Sequence, residues 1–360
     1  MPEHPKTEPK HKPENGPEPN PEAAPKGQAP PPSQPRHRLI VEPDDGLEPI
    51  LGLLALARQT LLIKQFDCRE PSIILAAIAA AARGVKVRVL LNPTRGSGQR
   101  DNDVPHEALR SAGVEVAWTP PRFMVTHEKS VVVDGERALI STFNLSPKYL
   151  TQTRDYGILT TDPAQVADVV ACFEADWQGA DFAPAQGTEL LWSNVNARAI
   201  MCAFIDGART SLDLQHPKFM DTTVLDRVLL AHDRGVHVRM LCGGRHGTSP
   251  GDVVDTMSSL RVLQRAGIKV HRQKSPKLHA KLILADGDRA LVGSMNIDRV
   301  GFDFRRELGL LVTAHPIVSR LKTIFGGDWE ASKLWVVPDP MAPPAHDPEE
   351  PPHDPDFHHE

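Results

Sequence analysis

Between residues 39 and 337, apolar and polar positions follow a helical period in some segments and a strand-like period in others. Apolar residues recur at helical spacing around 46–58 and 194–208, and they alternate with polar residues in "VKVRVLL" (85–91) and "VHVRMLC" (236–242). Each of these two strands follows an Ala- or Leu-rich helix that ends at "RGV". Helices that alternate with such strands predict a mixed, largely buried sheet covered by helices on its faces.

The order of these elements occurs twice along the chain. "RSAGVEV" matches "QRAGIKV", "TRDYGILTT" matches "RRELGLLVT", and Trp177 matches Trp329. The offset varies between 150 and 154 residues in the earlier part of the repeat and is 152 in the later part. The sequence therefore predicts a duplicated α/β unit, with the two tryptophans packed in the core.

The longest match joins "VTHEKSVVVDGERALISTFN" (125–144) to "KLHAKLILADGDRALVGSMN" (277–296), which share eight identical residues. Alternation in "LHAKLIL" predicts a strand, so His279 and Lys281 project from one face and the neighbouring apolar residues from the other. His127 and Lys129 are expected to do the same. The Asp-Gly pair then predicts a hairpin, and Asp134 and Asp286 are expected to serve the turn rather than the chemistry.

Each hairpin returns an asparagine, Asn144 or Asn296, so each half offers an imidazole, an ammonium group and a carboxamide. If the halves face each other about a pseudo-two-fold axis, one cleft holds two of each. Lys and Asn donors suit the oxygens of a phosphodiester, because they stabilise the charge that develops during transfer. One histidine would attack phosphorus and the other would move protons. No metal or cofactor is expected, because the lysines supply positive charge.

Two carboxylates at matched positions are candidates to orient the histidines. Asp155 lies 28 residues after His127, and Glu307 lies 28 residues after His279. A carboxylate that accepts from one ring nitrogen fixes the tautomer and orientation of the imidazole. Both residues are therefore predicted members of the site.

The repeated motif resembles the signature of the phospholipase D superfamily, HxKxxxxD followed by a GS-x-N-like element. It occurs here as His127-Glu-Lys129-(x4)-Asp134 with "STFN", and as His279-Ala-Lys281-(x4)-Asp286 with "GSMN". The resemblance covers nearly all of 39–337 and implies a duplicated α/β/α sandwich, with domains 39–188 and 189–337 and the active site at their interface. It also implies residue roles: nucleophile His127, acid/base His279, phosphate-binding Lys129, Lys281, Asn144, Asn296 and Ser294, and orienting Asp155 and Glu307.

Two segments depart from that family pattern. The first half has Ser141-Thr142 where the second has Gly293-Ser294, a difference that a loop is expected to absorb. "NIDRVGFDFRRELGLLV" (296–312) resembles the cardiolipin synthase branch, which usually has Arg-Ser and a later Asn where this chain has Val300-Gly301 and Arg305. A phospholipase D-type enzyme is therefore expected, cardiolipin-synthase-like in this segment.

Three functions fit the motif, and a lipid phosphodiesterase or phosphatidyltransferase is preferred. The pairs Phe123-Met124 and Phe219-Met220 could touch a membrane surface, although core packing explains them as well. A metal-independent nuclease is the alternative, supported by the Arg-containing loops "NPTRGSGQR" and "CGGRHGTSP", but the 5% aromatic content argues against base stacking. A non-catalytic scaffold is weak, because both motifs are intact.

The two ends of the chain differ in composition from the middle. Residues 1–36 contain 12 prolines and residues 338–360 contain eight, so 1–38 and 338–360 are predicted to be disordered tails. The tails carry +1 and −7 of the net charge of −5, which leaves a near-neutral core. Neither a secretory signal nor a membrane-spanning run is evident, and the four cysteines show no metal or disulfide spacing. A cytoplasmic monomer, peripheral on the inner face of the membrane, is expected.

Overall fold

The computed structural model describes Met1 and residues 36–244 and 250–341. The first half of the described chain contains seven strands and five helices in mixed order. The strands β1 to β7 are His37–Glu42, Thr60–Gln65, Lys86–Leu91, Glu115–Trp118, Ser130–Val133, Arg137–Ser141 and Thr153–Thr160. The helices α1 to α5 are Glu48–Ala55, Pro71–Ala82, Asp103–Ser111, Pro147–Thr151 and Pro163–Gln178.

The second half repeats this order with two additional short strands. The strands β8 to β16 are Leu190–Trp192, Ser211–Gln215, His237–Cys242, Lys269–Arg272, Lys277–Leu278, Leu282–Ala285, Arg289–Gly293, Leu308–Val312 and Lys333–Leu334. The helices α6 to α10 are Ala197–Asp206, Thr222–Asp233, Pro250–Arg265, Arg299–Asp303 and His315–Ala331. Of the helices in the described ranges, none is long and apolar enough to cross a membrane.

Each half builds its own mixed sheet. The first has the order β1-β7-β6-β5-β2-β3-β4 and the second β16-β11-β10-β9-β13-β14-β15-β8. Strands β2, β3 and β4 are parallel, as are β9, β10 and β11, and the strands that complete each sheet run antiparallel to their neighbours. The predicted mixed sheet and its duplication are confirmed.

Three hydrophobic clusters show how the layers pack. Helices α1–α3 cover one face of the first sheet, and α6–α8 cover the corresponding face of the second. The remaining cluster joins the inner faces of both sheets to α5 and α10, and it includes Trp329 with Trp177 packed against it. The duplicated α/β/α sandwich is therefore confirmed, and the two sheets share one apolar core.

The chain crosses between the two sheets immediately before each HxK motif. Lys277 and Leu278 of β12 pair in parallel with Thr153 and Arg154 of the first sheet. The first half repeats the arrangement as an isolated parallel bridge between Thr126 and Arg306. Each half thus lends a short segment to the other, which is the exchange that a pseudo-two-fold axis produces.

The prediction of a continuous strand through the HxK motif was wrong. β12 ends at Leu278 and β13 begins at Leu282, so the motif lies in the segment between the two sheets. The N–H groups of His279 and Ala280 both donate to the carbonyl of Arg154, at 3.3 and 2.8 Å, and two residues opposite one is the pattern of a bulge. A bulge re-aims side chains, and here it occurs at the predicted catalytic residues.

The sequence predicted that a loop absorbs the difference between Ser141 and Gly293, and this prediction was wrong. Each is the last residue of a strand, β6 or β14. A Cβ atom on Gly293 would lie 2.4 Å from the Cα of Gly309 on β15. Ser141 pairs with Gly157 on β7 and carries a side chain at the corresponding place. The two hairpins therefore differ in how closely the last strand approaches.

Candidate active site

The two histidines of the repeated motif are each held by a carboxylate from the other half. His127 Nδ1 lies 2.9 Å from Glu307 Oε2, and His279 Nδ1 lies 2.7 Å from Asp155 Oδ1. All four side chains are buried. The structure therefore joins the predicted residues into two crossed pairs, whereas equal spacing had matched each histidine with a carboxylate of its own half.

Crossing follows from the way the sheets exchange strands. The segment before His279 pairs with the start of β7, and Asp155 is the third residue of that strand. Likewise the segment before His127 pairs at Arg306, which directly precedes Glu307. Each motif histidine is thus delivered next to the carboxylate of the strand that its own segment joins.

The carboxylates are fixed by different partners. Asp155 accepts from the hydroxyl groups of Thr142 and Thr153, each at 2.5 Å. Burial alone would raise the pKa of Glu307, but the positive charge and hydrogen bond of His127, with Lys129, hold it below its usual value. An ionised Glu307 accepts the Nδ1–H of His127 and leaves Nε2 as the reactive nitrogen.

Both motif lysines turn back onto their own histidine. Lys129 Nζ donates to the carbonyl of His127 at 2.7 Å, and Lys281 Nζ donates to the carbonyl of His279 at 2.8 Å. Lys281 Nζ also lies 2.8 Å from His279 Nε2. Each half thus places a buried ammonium group beside its motif histidine, and such cationic donors are of the kind that bind a phosphate.

The asparagines that end the motif are buried as well. Asn144 and Asn296 follow β6 and β14 by a few residues, and Asn296 Oδ1 has no hydrogen-bond partner within 36–244 and 250–341. Ser294 differs from its predicted role. Its hydroxyl accepts the N–H of Leu308 at 3.0 Å and donates to the carbonyl of the same residue at 3.3 Å. Ser294 therefore holds β15 in place, and we leave it out of the phosphate-binding set.

Two aromatic rings that were not predicted from the sequence lie against the histidines. Phe66 meets the His127 ring edge-on at 4.9 Å between centroids, and Tyr149 meets the His279 ring at 4.6 Å. Phe66 directly follows β2, and Tyr149 belongs to the short helix after Asn144. Neither is repeated in the other half, so the duplication gave no signal for them.

Asp134 and Asp286 serve the turns, as the sequence predicted. Both adopt a left-handed φ of 55° at the Asp-Gly turn. Asp286 accepts the N–H groups of Arg209, Thr210 and Ser211, and Asp134 accepts those of the corresponding residues before β2. Partial burial would raise the pKa of Asp286, but these backbone donors lower it to about 2. Each aspartate fastens the hairpin to the start of the central strand.

Two buried ion pairs join the halves beside the site. Arg154 binds Asp328 through Nε at 2.9 Å, and Arg306 binds Asp176 through Nη2 at 2.9 Å. None of these four residues was predicted from the sequence, although each arginine and each aspartate recurs at the offset of 152 residues. Since Arg154 and Arg306 directly precede the orienting carboxylates, these contacts fix the carboxylates against the opposite half.

A third charged cluster extends from Asp176. Glu128, Cys172 and Asp176 lie close enough together to hold a metal ion, and all three are buried. The ammonium of Lys64 occupies their centre, 3.0 Å from Glu128 and 2.8 Å from Asp176. Burial disfavours this charge, but the three neighbours hold the pKa of Lys64 above its usual value. The cluster is thus a buried ion network centred on a lysine.

Glu42 is a further buried carboxyl group next to the site. It lies opposite Asp155 in the pairing of β1 with β7. Neither of its carboxyl oxygens has a well-formed hydrogen bond in the part of the chain that the structure describes, and the nearby N–H of Gly46 offsets the burial only in part. Burial, followed by the charge of Asp155, raises its pKa to about 9. Glu42 is therefore protonated at neutral pH, beside the carboxylate that holds His279.

The two predicted membrane-contacting pairs differ in their exposure to solvent. Phe219 is fully buried, so core packing accounts for it, whereas Met124 is 68% exposed. The N–H of Met124 donates to the carbonyl of Phe304, which is itself 44% exposed, at 2.9 Å. An exposed apolar pair therefore lies at the boundary between the two halves, called the seam below, and Met124 is three residues from His127.

The loops that favoured a nuclease offer little free positive charge. Arg95 in "NPTRGSGQR" is buried and paired with Asp67 at 2.7 Å and with Asp101. Arg100 in the same loop pairs with Asp103 at 2.8 Å. Most of the second loop, "CGGRHGTSP", lies outside the described residues. The first loop therefore does not present the basic surface that the alternative requires.

The chain is similar to two named lipid synthases and, in its fold, to a polyphosphate kinase. It is 29% identical to cardiolipin synthase A of Pseudomonas aeruginosa, over 82% of this chain and 67% of that protein. Among solved structures, phosphatidylserine synthase of Haemophilus influenzae superimposes with a TM-score of 0.66 at 12% identity, over 83% of this chain and 87% of that one. Polyphosphate kinase of Porphyromonas gingivalis superimposes with a TM-score of 0.65 at 21% identity, over 82% of this chain. This chain spans about half of that kinase (47%), and at these identities the two structures show a shared fold.

A family model covers most of the described chain in two copies. The model described as "Cardiolipin synthase, PLD-like domain" matches residues 50–177 and 201–329. Each match contains one HxK motif, one Asp-Gly hairpin and one orienting carboxylate. The chain therefore belongs to the family of cardiolipin synthase, PLD-like domains.

Proposed function

We propose that the protein is a phosphatidyltransferase of the phospholipase D type, which acts on phospholipids through a phosphohistidine. The observation that carries the proposal is the crossed pair of histidines, each bonded through Nδ1 to a buried carboxylate of the opposite half. Two imidazoles, each oriented through Nδ1 so that its reaction is directed through Nε2, supply both a nucleophile and an acid/base.

In the first step, His127 Nε2 attacks the phosphorus of a phosphodiester. The N–P bond forms as the bond from phosphorus to the departing alcohol oxygen breaks, and His279 delivers its Nε2 proton to that oxygen. Glu307 stabilises the positive charge that develops on His127, because it accepts the Nδ1–H at 2.9 Å. The assignment of His127 as nucleophile follows the resemblance to the superfamily.

In the second step, an alcohol or water takes the phosphatidyl group. Its oxygen attacks phosphorus, the N–P bond breaks, and its proton passes to His279 Nε2, which restores the starting state. Asp155 stabilises the imidazolium form of His279 through the 2.7 Å contact. Since Lys281 Nζ lies 2.8 Å from the same Nε2, this lysine must turn towards the phosphate when His279 carries a proton there.

Lys129, Lys281, Asn144 and Asn296 hold the non-bridging oxygens in this scheme. The two halves contribute one lysine and one asparagine each, so the reacting phosphate lies on the pseudo-two-fold axis. Buried cationic donors are effective here because low polarity strengthens their attraction to the charge that forms. The positive charge of the lysines lets the reaction proceed without a metal ion.

Transfer between phospholipids is the preferred reaction. The curated relative is called cardiolipin synthase A, and the family model carries the same description. A nuclease is the weaker alternative, because the arginines of the first predicted basic loop are already paired with aspartates. The proposed protein is cytoplasmic. It is also a monomer, because one chain contains both half-sites. The domain limits of 39–188 and 189–337 are retained with it.

Contact with a membrane surface is proposed at Met124 and Phe304. These exposed apolar side chains lie together on the seam, near the segment that carries His127. An enzyme that takes lipid from a bilayer gains from such a contact, because the apolar pair enters the interface and brings the site to the headgroups.

The assay that tests the function uses the purified chain in EDTA. Phosphatidylglycerol, phosphatidylcholine and single-stranded DNA are offered to the wild type, to His127→Ala, to His279→Ala and to the double variant. We expect lipid turnover by the wild type and a loss of about 10²-fold or more in each single variant. The double variant should lose no more than about the larger single loss, because the histidines act as a unit.

Three results would contradict the proposal. Lipid turnover that survives both substitutions removes the two-histidine mechanism. Cleavage of DNA without turnover of lipid would show that the substrate is a nucleic acid. Loss of wild-type activity in EDTA shows that the lysines do not supply the charge that the reaction needs.

A further inference from the structure

The two half-sites differ at two positions that the pseudo-two-fold axis relates. In the first half these are Tyr149, whose ring contacts His279 at 4.6 Å, and Thr153, whose hydroxyl donates to Asp155 at 2.5 Å. At the offset of 152 residues, the corresponding positions of the second half are Gly301 and Arg305. In the second half, a ring is thus replaced by a glycine and a hydroxyl by a guanidinium group.

Arg305 is held at the site by its backbone. Its N–H donates to the carbonyl of Val300 at 3.1 Å, and its carbonyl accepts the hydroxyl of Ser193 at 2.7 Å. It lies two residues before Glu307, and its charge contributes to the lowered pKa of that carboxyl group. The guanidinium group is therefore in electrostatic reach of the Glu307–His127 pair.

The guanidinium group of Arg305 is not satisfied by the protein. Nε and Nη1 are both buried, and neither has an acceptor among the residues of 36–244 and 250–341. A buried N–H group without an acceptor is costly, and more so when it carries charge. The other arginines of the seam differ: Arg154 and Arg306 bind Asp328 and Asp176 through two nitrogens each. Arg305 thus differs from Arg154 and Arg306 in having donors left for a ligand.

We propose that Arg305 binds a second phosphate group, carried by the acceptor alcohol, and so selects an anionic phospholipid as acceptor. The inference rests on the proposed function and deepens it. The reacting phosphate is bound symmetrically, by one lysine and one asparagine of each half. Arg305 has no counterpart in the first half, so it serves the part of the substrate pair that is not symmetric. A planar guanidinium group with two parallel donors suits a phosphate.

Gly301, the other position that differs, does not open a space at His127. Its counterpart Tyr149 contacts the His279 ring, but the His127 ring is contacted by Phe66 of its own half. A Cβ on Gly301 would lie 3.1 Å from the carbonyl of Asn296 and 3.2 Å from Asp298 Oδ1, so the backbone is tightly packed there. Arg305 alone therefore distinguishes the His127 half-site by charge.

A partition experiment isolates the choice of acceptor. Phosphatidylglycerol with a fluorescent acyl chain is the donor in mixed micelles that also contain unlabelled phosphatidylglycerol and ethanol. The same phosphoenzyme then transfers its group to one acceptor or the other, so effects on the first step cancel in the product ratio. The wild type is compared with Arg305→Thr, which copies the first half, with Arg305→Lys, and with the exposed control Arg299→Thr.

In Arg305→Thr, the ratio of diphosphatidyl product to phosphatidylethanol should fall about ten- to a hundredfold. This is the change expected when one charge-assisted hydrogen bond to the acceptor is lost. Arg305→Lys should fall less, because the charge remains, and Arg299→Thr should keep the wild-type ratio. An unchanged ratio in Arg305→Thr overturns the inference, even if both products decrease, because a residue that acts through Glu307 affects both acceptors equally.

A binding measurement separates this inference from the proposed function. If the wild type forms neither lipid product, the proposed function fails, and calorimetry with glycerol 3-phosphate decides the role of Arg305. A loss of about tenfold or more in affinity in Arg305→Thr supports a phosphate site, and equal affinity overturns it. Inorganic phosphate is the comparison: if it binds as tightly and loses as much affinity, the assignment to an acceptor headgroup is wrong.

Discussion

At the scale of single residues, Glu42 shows how burial sets a charge state. Its carboxyl group is protonated because burial and Asp155 disfavour the anion and raise its pKa to about 9. The unfolded chain releases this proton near the ordinary pKa of 4.5. The native state therefore holds one more proton than the unfolded state between these values, and stability falls as pH rises through the window.

Glu42→Gln removes that titration and keeps the shape. We expect the unfolding free energy of the variant minus that of the wild type to increase as pH rises from 5 to 8.5, by at most about 1.4 kcal/mol per pH unit. Urea unfolding at three pH values measures the gain. The exposed Glu136→Gln is the control and should show no such trend. A constant difference between Glu42→Gln and the wild type across this range would show that Glu42 is ionised in the native state.

Asp286 illustrates a motif residue that acts on folding. Asp286→Asn should lower the free energy of unfolding at pH 7 by about 1–3 kcal/mol, because three backbone donors lose a charged acceptor. The native pKa of about 2 lies below the ordinary 3.8, so this stability is present above that pH and is lost as pH falls towards 2. Unfolding curves at pH 7 and pH 2 test the difference, and Asp288→Asn is the exposed control. Turnover per folded molecule should stay near that of the wild type; a large fall would mean that Asp286 takes part in chemistry.

Residue identity was predictable from the sequence where the duplication repeats it. The histidines, lysines, asparagines and carboxylates all recur at one offset, and the structure places each histidine in contact with a carboxylate and with the lysine of its own motif. Phe66, Tyr149 and Glu42 were missed because each occurs in one half only and its chemistry depends on packing. Their contacts join segments that are far apart in sequence, which no local pattern reports.

At the scale of secondary-structure elements, the two hairpins show how a close approach constrains one strand. Gly293→Ser gives the second half the residue of the first, and its Cβ would meet backbone atoms of β15 at 2.4–2.5 Å. We expect a loss of about 3 kcal/mol or more in stability, or failure to fold, because backbone atoms cannot move aside cheaply. Thermal unfolding and the yield of folded protein measure the effect.

The reverse change, Ser141→Gly, is the matched control. It should cost about 1 kcal/mol, through greater chain entropy and the loss of the 3.0 Å hydrogen bond from Ser141 Oγ to the carbonyl of Phe143. Similar losses in the two variants would mean that the close approach of β14 to β15 is not a constraint.

Most helices and central strands were predictable, because their apolar periods are long and regular. The outer strands β1, β8 and β16 were not, since their positions are fixed by pairing at the edge of a sheet, and β8 and β16 are also short. The break between β12 and β13 was hidden for another reason. Its residues keep the alternation of a strand, while the hydrogen bonds change from one sheet to the other.

At the scale of the whole molecule, the seam between the halves decides whether a site exists. Arg154→Met leaves Asp328 buried with Gln215 as a neutral donor at 2.9 Å, and should destabilise the protein by about 3–5 kcal/mol. The double variant Arg154→Met/Asp328→Leu should recover part of this loss, because it removes the uncompensated charge. Chemical denaturation measures both, with exposed Arg299→Met as the control. A double variant less stable than the single variant would contradict the account of the pair.

The crossing of the two half-sites could not be read from the sequence. The equal spacing of 28 residues matched each histidine with the carboxylate of its own half, and no residue pattern indicated the exchange. The choice is made by the segments that each half lends to the other sheet. The duplication predicted that one site needs both halves, and the exchange of strands explains how they are joined.

The central claim, that two histidines from opposite halves form one phosphatidyl-transfer site, is tested most directly by trapping the intermediate. His279→Ala is mixed with phosphatidylglycerol, quenched in alkali and digested for mass spectrometry, beside His127→Ala and the wild type. We expect a phosphatidyl adduct on His127 in His279→Ala: the intermediate forms more slowly without the acid, but it accumulates because no base remains to activate the alcohol or water that removes it. An adduct on another residue, or lipid turnover by His127→Ala at the wild-type rate, would contradict it.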